Sequence, residues 1–272
     1  MKKINSQEMK KIELDILIYV ADFCDKHNLC YYLSYGTLIG AIRHKGFIPW
    51  DDDIDIVMPR EDYDNLIKIF NLENADSPYF ASIPGQANHS FLKIGDKRTI
   101  KHEIEYKYER CKGAIDIDIF PLDGVPEDES LYEKWFDKLN KLYTIYFYRK
   151  ANKKIFSFKQ RLKFFIKSAL CGILLTTDNQ ILKRAEKLHK KYPLNMSKYV
   201  GVIESMWNSK KNKVLKKYYE DRVQVEFEGH KFYAPKAYHE ILTNIYGDYL
   251  KLPPIDKQVA EHRSDAFWIE EM

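Results

Sequence analysis

Long apolar runs are missing from this chain. The best candidate, SALCGILLTT from Ser168 to Thr177, is ten residues long, too short to cross the ~30 Å hydrocarbon layer of a bilayer. Cysteine is scarce, with four residues at 24, 30, 111 and 171 and no C-x-x-C pair. No basic-then-apolar leader precedes them, so reduced thiols in a cytosolic protein are expected. The eight histidines are scattered, which leaves no zinc site of familiar spacing. Internal repeats and low-complexity linkers are absent. Net charge is small, because 44 basic and 40 acidic residues leave only +4, and the total implies no nucleic-acid partner.

What is present suffices for a real core, since 45% of the 272 residues are apolar, enough for one large domain or two small ones. Met9, Ile12, Ile16, Val20, Phe23 and His27 recur every three or four residues and predict an amphipathic helix ending near Lys26-His27-Asn28. YYLSY (31 to 35) predicts a short strand, Gly36-Thr37 a turn, and LIGAIRH a helix. DIDIVM (53 to 58) alternates acidic and apolar residues as a half-buried strand does. A helix from Glu61 to Phe70 and strands at 79 to 83, 90 to 94 and 114 to 120 follow. The N-terminal part is therefore expected to be an α+β fold, a mixed sheet with flanking helices.

Near residue 126 the pattern changes to helical, basic and aromatic stretches. Between 131 and 177 there are eleven Lys or Arg against two acids, Glu133 and Asp137, an excess larger than the charge of the whole chain. Phe156, Phe158, Phe164, Phe165, Ile166 and Leu170 interleave with these cations. That composition suits a helix lying on an anionic membrane surface, and it equally suits a solvated helical hairpin packed on the sheet. A nucleic-acid groove fits less well.

Chemistry concentrates in GTLIGAIRHKGFIPWDDDID, from Gly36 to Asp55. Backbone N–H groups at a helix start bind phosphate oxygens, and Arg43, His44 and Lys45 add positive charge. Strand alternation puts Asp53 and Asp55 on one face, with Asp51 sharing it and Asp52 pointing away. A second acidic strand, AIDIDIFPLDG (114 to 124), repeats the alternation with Asp116 and Asp118. Aspartate is a poor strand former, so two such strands point to carboxylates that hold a hard divalent cation such as Mg²⁺.

These motifs resemble the LicD family of phosphotransferases. The resemblance rests on Gly36-Thr37, Gly40-Ala41-x-Arg43-His44, FIPWDDDIDI (47 to 56), MPREDY (58 to 63) and IDIFPLDG (117 to 124). FEG (227 to 229) and YGDYLKLPP (246 to 254) extend it over nearly the whole chain. It implies a nucleotidyltransferase-like core over 1–126 and a helical, basic C-terminal part over 127–272 that completes the site. It implies Asp53, Asp55 and Asp118 as catalytic, metal-binding residues for Mg²⁺ or Mn²⁺, with Asp116 an extra acid nearby. Lys93 and Arg98 would hold a diphosphate, alongside Gly36, Thr37 and Arg43. His262, beyond the last matching motif, is a weaker candidate, as are Asp51 and His44.

The implied reaction moves phosphocholine from CDP-choline to a sugar hydroxyl of a cell-surface glycan or its lipid-linked precursor (lipopolysaccharide, teichoic acid or capsule) and releases CMP. Ribitol phosphate, glycerol phosphate or a sugar phosphate are alternative cargoes, nucleotidyl transfer is an alternative reaction, and a non-catalytic membrane-associated scaffold is the alternative outside enzymes. The implied location is cytoplasmic and peripheral to the inner face of the membrane, with no nucleic-acid partner.

Overall fold

A computed structural model describes residues 1–86, 89–103, 113–151, 157–170, 176–204, 210–259 and 264–269. His262, Cys111 and Cys171 lie outside the described residues. Strand β1 (Lys2–Ile4) leads into α1 (Ser6–Lys26), whose start is capped by the Asn5 side chain accepting from the Glu8 N–H. Next come β2 (Tyr32–Leu33), α2 (Tyr35–His44), β3 (Asp55–Pro59), α3 (Arg60–Glu73), β4 (Tyr79–Ser82), β5 (Leu92–Glu103) and β6 (Gly113–Val125). The remainder holds α4 (Glu129–Lys150), α5 (Phe158–Leu170), α6 (Asp178–His189), β7 (Tyr199–Gly201) and β8 (Val214–Leu215). The chain closes with the hairpin β9 (Arg222–Phe227) and β10 (His230–Pro235), then α7 (Tyr238–Tyr246) and β11 (Ser264–Trp268).

Among the described residues, nine strands form one mixed sheet with the central order β1-β11-β5-β6-β3-β2, while β4 pairs with β5 and β7 joins β6 to β8. Only β3 and β6 run parallel there. The fold is α+β, and the sheet draws strands from both sides of residue 126.

Alternation along β6 separates two apolar layers. Ile115, Ile117 and Ile119 pack with Ile12, Ile16, Leu17 and Val20 of α1 in the main core. Phe120 and Leu122 instead join Tyr32, Val57, Val200 and Val214 on the other face. The basic segment supplies a third cluster, where α4 contributes Tyr132, Trp135, Phe136 and Leu139, and α6 Ile181 and Ala185. Helix α5 touches α4 and leaves Phe158, Leu162, Phe165 and Ile166 exposed beside Lys159, Arg161 and Lys163. No helix of the described residues is long and apolar enough to cross a membrane.

A buried ionic network ties these helices to the sheet. Arg60, the first residue of α3, donates a fork of hydrogen bonds to Asp123 on β6, at 2.7 and 2.5 Å, and a further one to Glu204 at 2.9 Å. His189, at the end of α6, lies 3.0 Å from Asp123, and the Tyr143 hydroxyl of α4 donates to Glu204 at 2.6 Å. Burial disfavours the Asp123 carboxylate, but Arg60 and His189 override it and hold the group below the usual carboxylate range. Burial likewise opposes a charged His189, and Glu204 and Asp123 reverse the balance and raise its pKa.

Losing one partner of such a network strands a buried charge. Arg60→Ala is expected to cost about 3–5 kcal/mol in urea unfolding, and Arg60→Lys to recover less than half of it, because an ammonium lacks the fork.

Candidate active site

The parallel pairing of β3 and β6 sets Asp55 directly opposite Asp118, and the antiparallel pairing of β5 and β6 sets Lys93 on the other side of Asp118. The backbone locks the register, with the Asp118 N–H donating to the Ile54 carbonyl at 2.8 Å. Lys93 is buried and reaches both Asp118, at 2.7 Å, and Asp116, at 3.2 Å. Asp116 and Asp118 therefore share one face, as their spacing predicts. Lys101 approaches Asp116 to 3.7 Å from further along β5.

The aspartates before β3 depart from expectation. The strand begins at Asp55, so Asp51, Asp52 and Asp53 precede it on irregular backbone where strand alternation does not apply. Asp52 does not point away from its neighbours: the carboxylate oxygens of Asp51, Asp52 and Asp53 lie within 4.8 Å of one another. Asp53 and Asp51 also bear on Asp55. Burial first, then the charges of Asp53, Asp118 and Asp51, push the Asp55 carboxyl well above its ordinary range. Burial raises Asp118 to about 6 against the opposing pull of Lys93.

Gly36 and Thr37 do not form a turn ahead of the helix, because α2 already begins at Tyr35 and includes both. Each has a defined task. A Cβ on Gly36 would stand 2.5 Å from the Asp51 carboxylate, so only glycine leaves that carboxylate room against the first turn of α2. The buried Thr37 hydroxyl accepts the Asp55 N–H at 2.8 Å, which ties the start of β3 to the same turn.

The C-terminal motifs grip the loop that carries these acids. Glu228 and Gly229, with φ of +50° and +77°, turn the β9–β10 hairpin. The Glu228 N–H donates to the Lys45 carbonyl at 2.8 Å, and its carboxylate accepts the Phe47 N–H at 3.0 Å. Arg43 donates to the Tyr249 carbonyl at 3.0 Å and to His44 at 2.8 Å. Arg43 thus faces the C-terminal motif, and His44 is exposed at the end of α2. Arg98 lies five residues beyond Lys93 on β5, roughly 15 Å along the strand, where its guanidinium forks onto the buried Asp96.

Among the described residues, two sets of side chains have metal-ligand spacing, Asp51-Asp52-Asp53 and Asp123-His189-Glu204. In the second, the Arg60 guanidinium already supplies the positive charge between the carboxylates, which makes it an ion-pair network. Around the first gather Asp55, Asp116 and Asp118, with Lys93 paired to Asp116 and Asp118 and Lys101 near Asp116. Such an oxygen-only donor set suits a hard divalent cation.

Sequence reasoning missed Glu13. It sits on the core side of α1, fully buried, with neither carboxyl oxygen hydrogen-bonded among the described residues. Burial, and then Asp53, Asp116 and Asp52, raise its pKa well above the ordinary value, while Lys101 opposes them. The only sequence signal was an acid on the apolar stripe between Ile12 and Ile16.

Residues 28–162 match the family described as LicD/FKTN/FKRP, nucleotidyltransferase domain. The chain is similar to the lipopolysaccharide cholinephosphotransferase LicD of Haemophilus influenzae, 32% identical over 281 aligned residues that cover 98% of this chain and 99% of the relative. An uncharacterised protein of Rickettsia typhi is 30% identical over 161 residues, 57% of this chain and 45% of its own length. A protein of Rickettsia prowazekii shares 50% identity over 44 residues, 16% of each chain.

Glu13 yields a pH-dependent prediction. A buried carboxyl with a raised folded pKa makes its full contribution only below the ordinary glutamate pKa, and loses it as pH rises from there towards the folded pKa, because the unfolded chain ionises first. Gln does not titrate. Metal-free Glu13→Gln should therefore melt about 2–5 °C above the wild type at pH 8, with the gap closing towards pH 5, as read by calorimetry.

Proposed function

The chain belongs to the LicD family of phosphotransferases, and from that premise we propose that it transfers phosphocholine from CDP-choline to a sugar hydroxyl of lipopolysaccharide or a similar cell-surface glycan, releasing CMP. The observation that supports this most is the end-to-end similarity to a lipopolysaccharide cholinephosphotransferase. It is joined to a site in which Asp55 and Asp118 stand opposite each other with Lys93 between Asp118 and Asp116.

The residues fit a divalent cation, Mg²⁺ or Mn²⁺. Asp53, Asp55 and Asp118 would hold it, with Asp51 beside them. When bound, it neutralises charge on the donor diphosphate and on the departing CMP.

The chain's own groups do the rest. The first turn of α2 lies against the Asp51 carboxylate, and N–H groups of such a helix start would orient phosphate oxygens there. Lys93, held by Asp116 and Asp118, sits where it can stabilise negative charge as the bridging oxygen leaves. An aspartate of the cluster takes the proton of the attacking sugar hydroxyl. The turn at Glu228 and the strap at Tyr249 keep the loop in place while the acceptor enters.

An acceptor built on a lipid carrier calls for a protein at the membrane face. Two surfaces favour that location: α5, with exposed Phe158, Leu162, Phe165 and Ile166 among cations, and a groove of about 800 Å³ between α4 and α6. Lys138, Lys141, Arg184, Lys187 and Lys191 line the groove. Both surfaces combine apolar area with positive charge, as interfacial helices do.

Asp53→Asn and Asp55→Asn keep side-chain shape while removing a ligand charge. Each is expected to lower kcat about 100-fold or more, as loss of electrostatic stabilisation at a phosphoryl centre does, with a metal-free melting temperature no lower than that of the wild type. Near-normal turnover with CDP-choline in either variant overturns the assignment, and pyrophosphate in place of CMP among the products indicates nucleotidyl transfer.

Co-sedimentation with phosphatidylglycerol vesicles is expected for the wild type and should be lost after Lys159, Arg161, Lys163 and Lys167 are changed to Gln. Unchanged sedimentation of that variant removes α5 from the membrane contact.

A further inference from the structure

The acidic face of the sheet does not run out into solvent at its upper end. Two residues beyond Asp118 on β6 stands Phe120, and two residues before Lys93, at the entry to β5, stands Phe91. Because Lys93 pairs with Asp118, the continued register brings the two rings together, with centroids 4.5 Å apart. Tyr35, the first residue of α2, closes a third side and meets Phe120 edge-on at 5.8 Å and 89°.

Tyr35 is held there with some strain. Its φ is +44°, a left-handed backbone that L residues rarely adopt, and its hydroxyl accepts a hydrogen bond from the Asn212 side chain at 3.0 Å. Ordinary core packing would close such a cluster. Here Phe120 is buried, while Phe91 and Tyr35 stay half-open. The Lys93 ammonium lies 5.7 Å from the Phe91 ring centre, so that ring already faces a cation. Val57, opposite Phe120 on β3, makes the adjoining surface apolar.

Phosphorus chemistry and this aromatic wall are therefore separated by one strand repeat, roughly 7 Å. A primary ammonium would look for hydrogen-bond acceptors. A quaternary ammonium has no N–H to donate and is held best by aromatic faces with negative charge nearby. We propose that Tyr35, Phe91 and Phe120 form the head-group subsite that receives the quaternary ammonium of the donor, two carbons away from a phosphate placed at Asp55, Lys93 and Asp118. This rests on the transfer reading above and names which part of the site selects the transferred group.

Calorimetric titration without acceptor decides it, using CDP-choline, CDP-ethanolamine, CDP-ribitol and CMP against the wild type and the variants Phe91→Leu, Tyr35→Leu and Tyr35→Phe. The wild type should prefer CDP-choline over CDP-ethanolamine by about tenfold, the size of one or two desolvated cation–π contacts. Phe91→Leu and Tyr35→Leu should erase that preference and leave CMP affinity within about twofold, whereas Tyr35→Phe keeps the ring and the preference. Retained CMP binding certifies the fold of each variant, and if one leucine variant loses it, the other decides.

If both leucine variants keep the preference for CDP-choline, the subsite is wrong and the transfer reading stands. If the wild type itself binds CDP-ribitol best, or gains nothing from the choline group over CMP, the phosphocholine reading fails and the subsite with it.

Discussion

Like-charge crowding is the constraint around which the rest of this protein is arranged. Parallel pairing of β3 with β6 forces Asp55 and Asp118 into adjacent positions, and the loop before β3 adds Asp51, Asp52 and Asp53. Burial first, and then carboxylates at such spacing, disfavour the charged forms, so Asp55 and Asp118 both sit above their ordinary range, with Lys93 pulling the other way. Two buried lysines, Lys93 and Lys101, relieve part of that repulsion. Folding alone would have removed the acids instead. The presence of Asp55, Asp116 and Asp118 on strands, where aspartate is disfavoured, fits the proposed site, which a cation and a phosphate would complete.

A crowded acidic loop needs restraint from outside itself, and the C-terminal half provides it. The Glu228 turn holds the backbone on both sides of Gly46, where a Cβ would stand 2.1 Å from the Glu228 carboxylate. The Arg43 contact with the Tyr249 carbonyl fixes the end of α2, and Phe47 packs on Phe227 with ring centroids 4.9 Å apart. Further away, the Arg60 network joins α3, β6, α4 and α6 through groups that neutralise one another. The two buried polar clusters thus differ in kind. The network around Arg60 sets a guanidinium and an imidazole between two carboxylates, whereas the cluster around Asp55 gathers aspartates on a strand and the loop before it.

That difference also explains what the sequence made legible. The alternation in AIDIDIF places Asp116 and Asp118 on one face because β6 is a regular strand, and the period of α1 predicts its span because its apolar stripe faces the sheet. Asp52 defeats the same logic, since the strand starts only at Asp55. Gly36-Thr37 looks like a turn because glycine commonly marks one. Here glycine answers to the carboxylate of Asp51, fifteen residues away in sequence, a tertiary demand that no local window contains. Arg98 resembles a phosphate ligand by composition, yet the β5 register carries it along the strand to Asp96. Glu13 and the partners of Arg60 were invisible for the same reason, because each acquires meaning only from residues brought close by the fold.

The expectations that failed for Asp52 and for Gly36-Thr37 lie at or beside the acidic cluster, while those concerning the apolar core held. Consistency between local preference and global fold is what lets a chain find one structure, so departures from it must be compensated by neighbouring structure. In this protein the departures are a left-handed Tyr35, aspartates at a strand entry and a buried Glu13, and α2, β3 and β6 bring all but the last onto one sheet face. The main core of α1 against β5 and β6 supplies the stability that tolerates them. Such departures persist where their surroundings over-determine them: Lys93 pairs with Asp118, the Thr37 hydroxyl accepts the Asp55 N–H, and Asn212 of the C-terminal half donates to the Tyr35 hydroxyl.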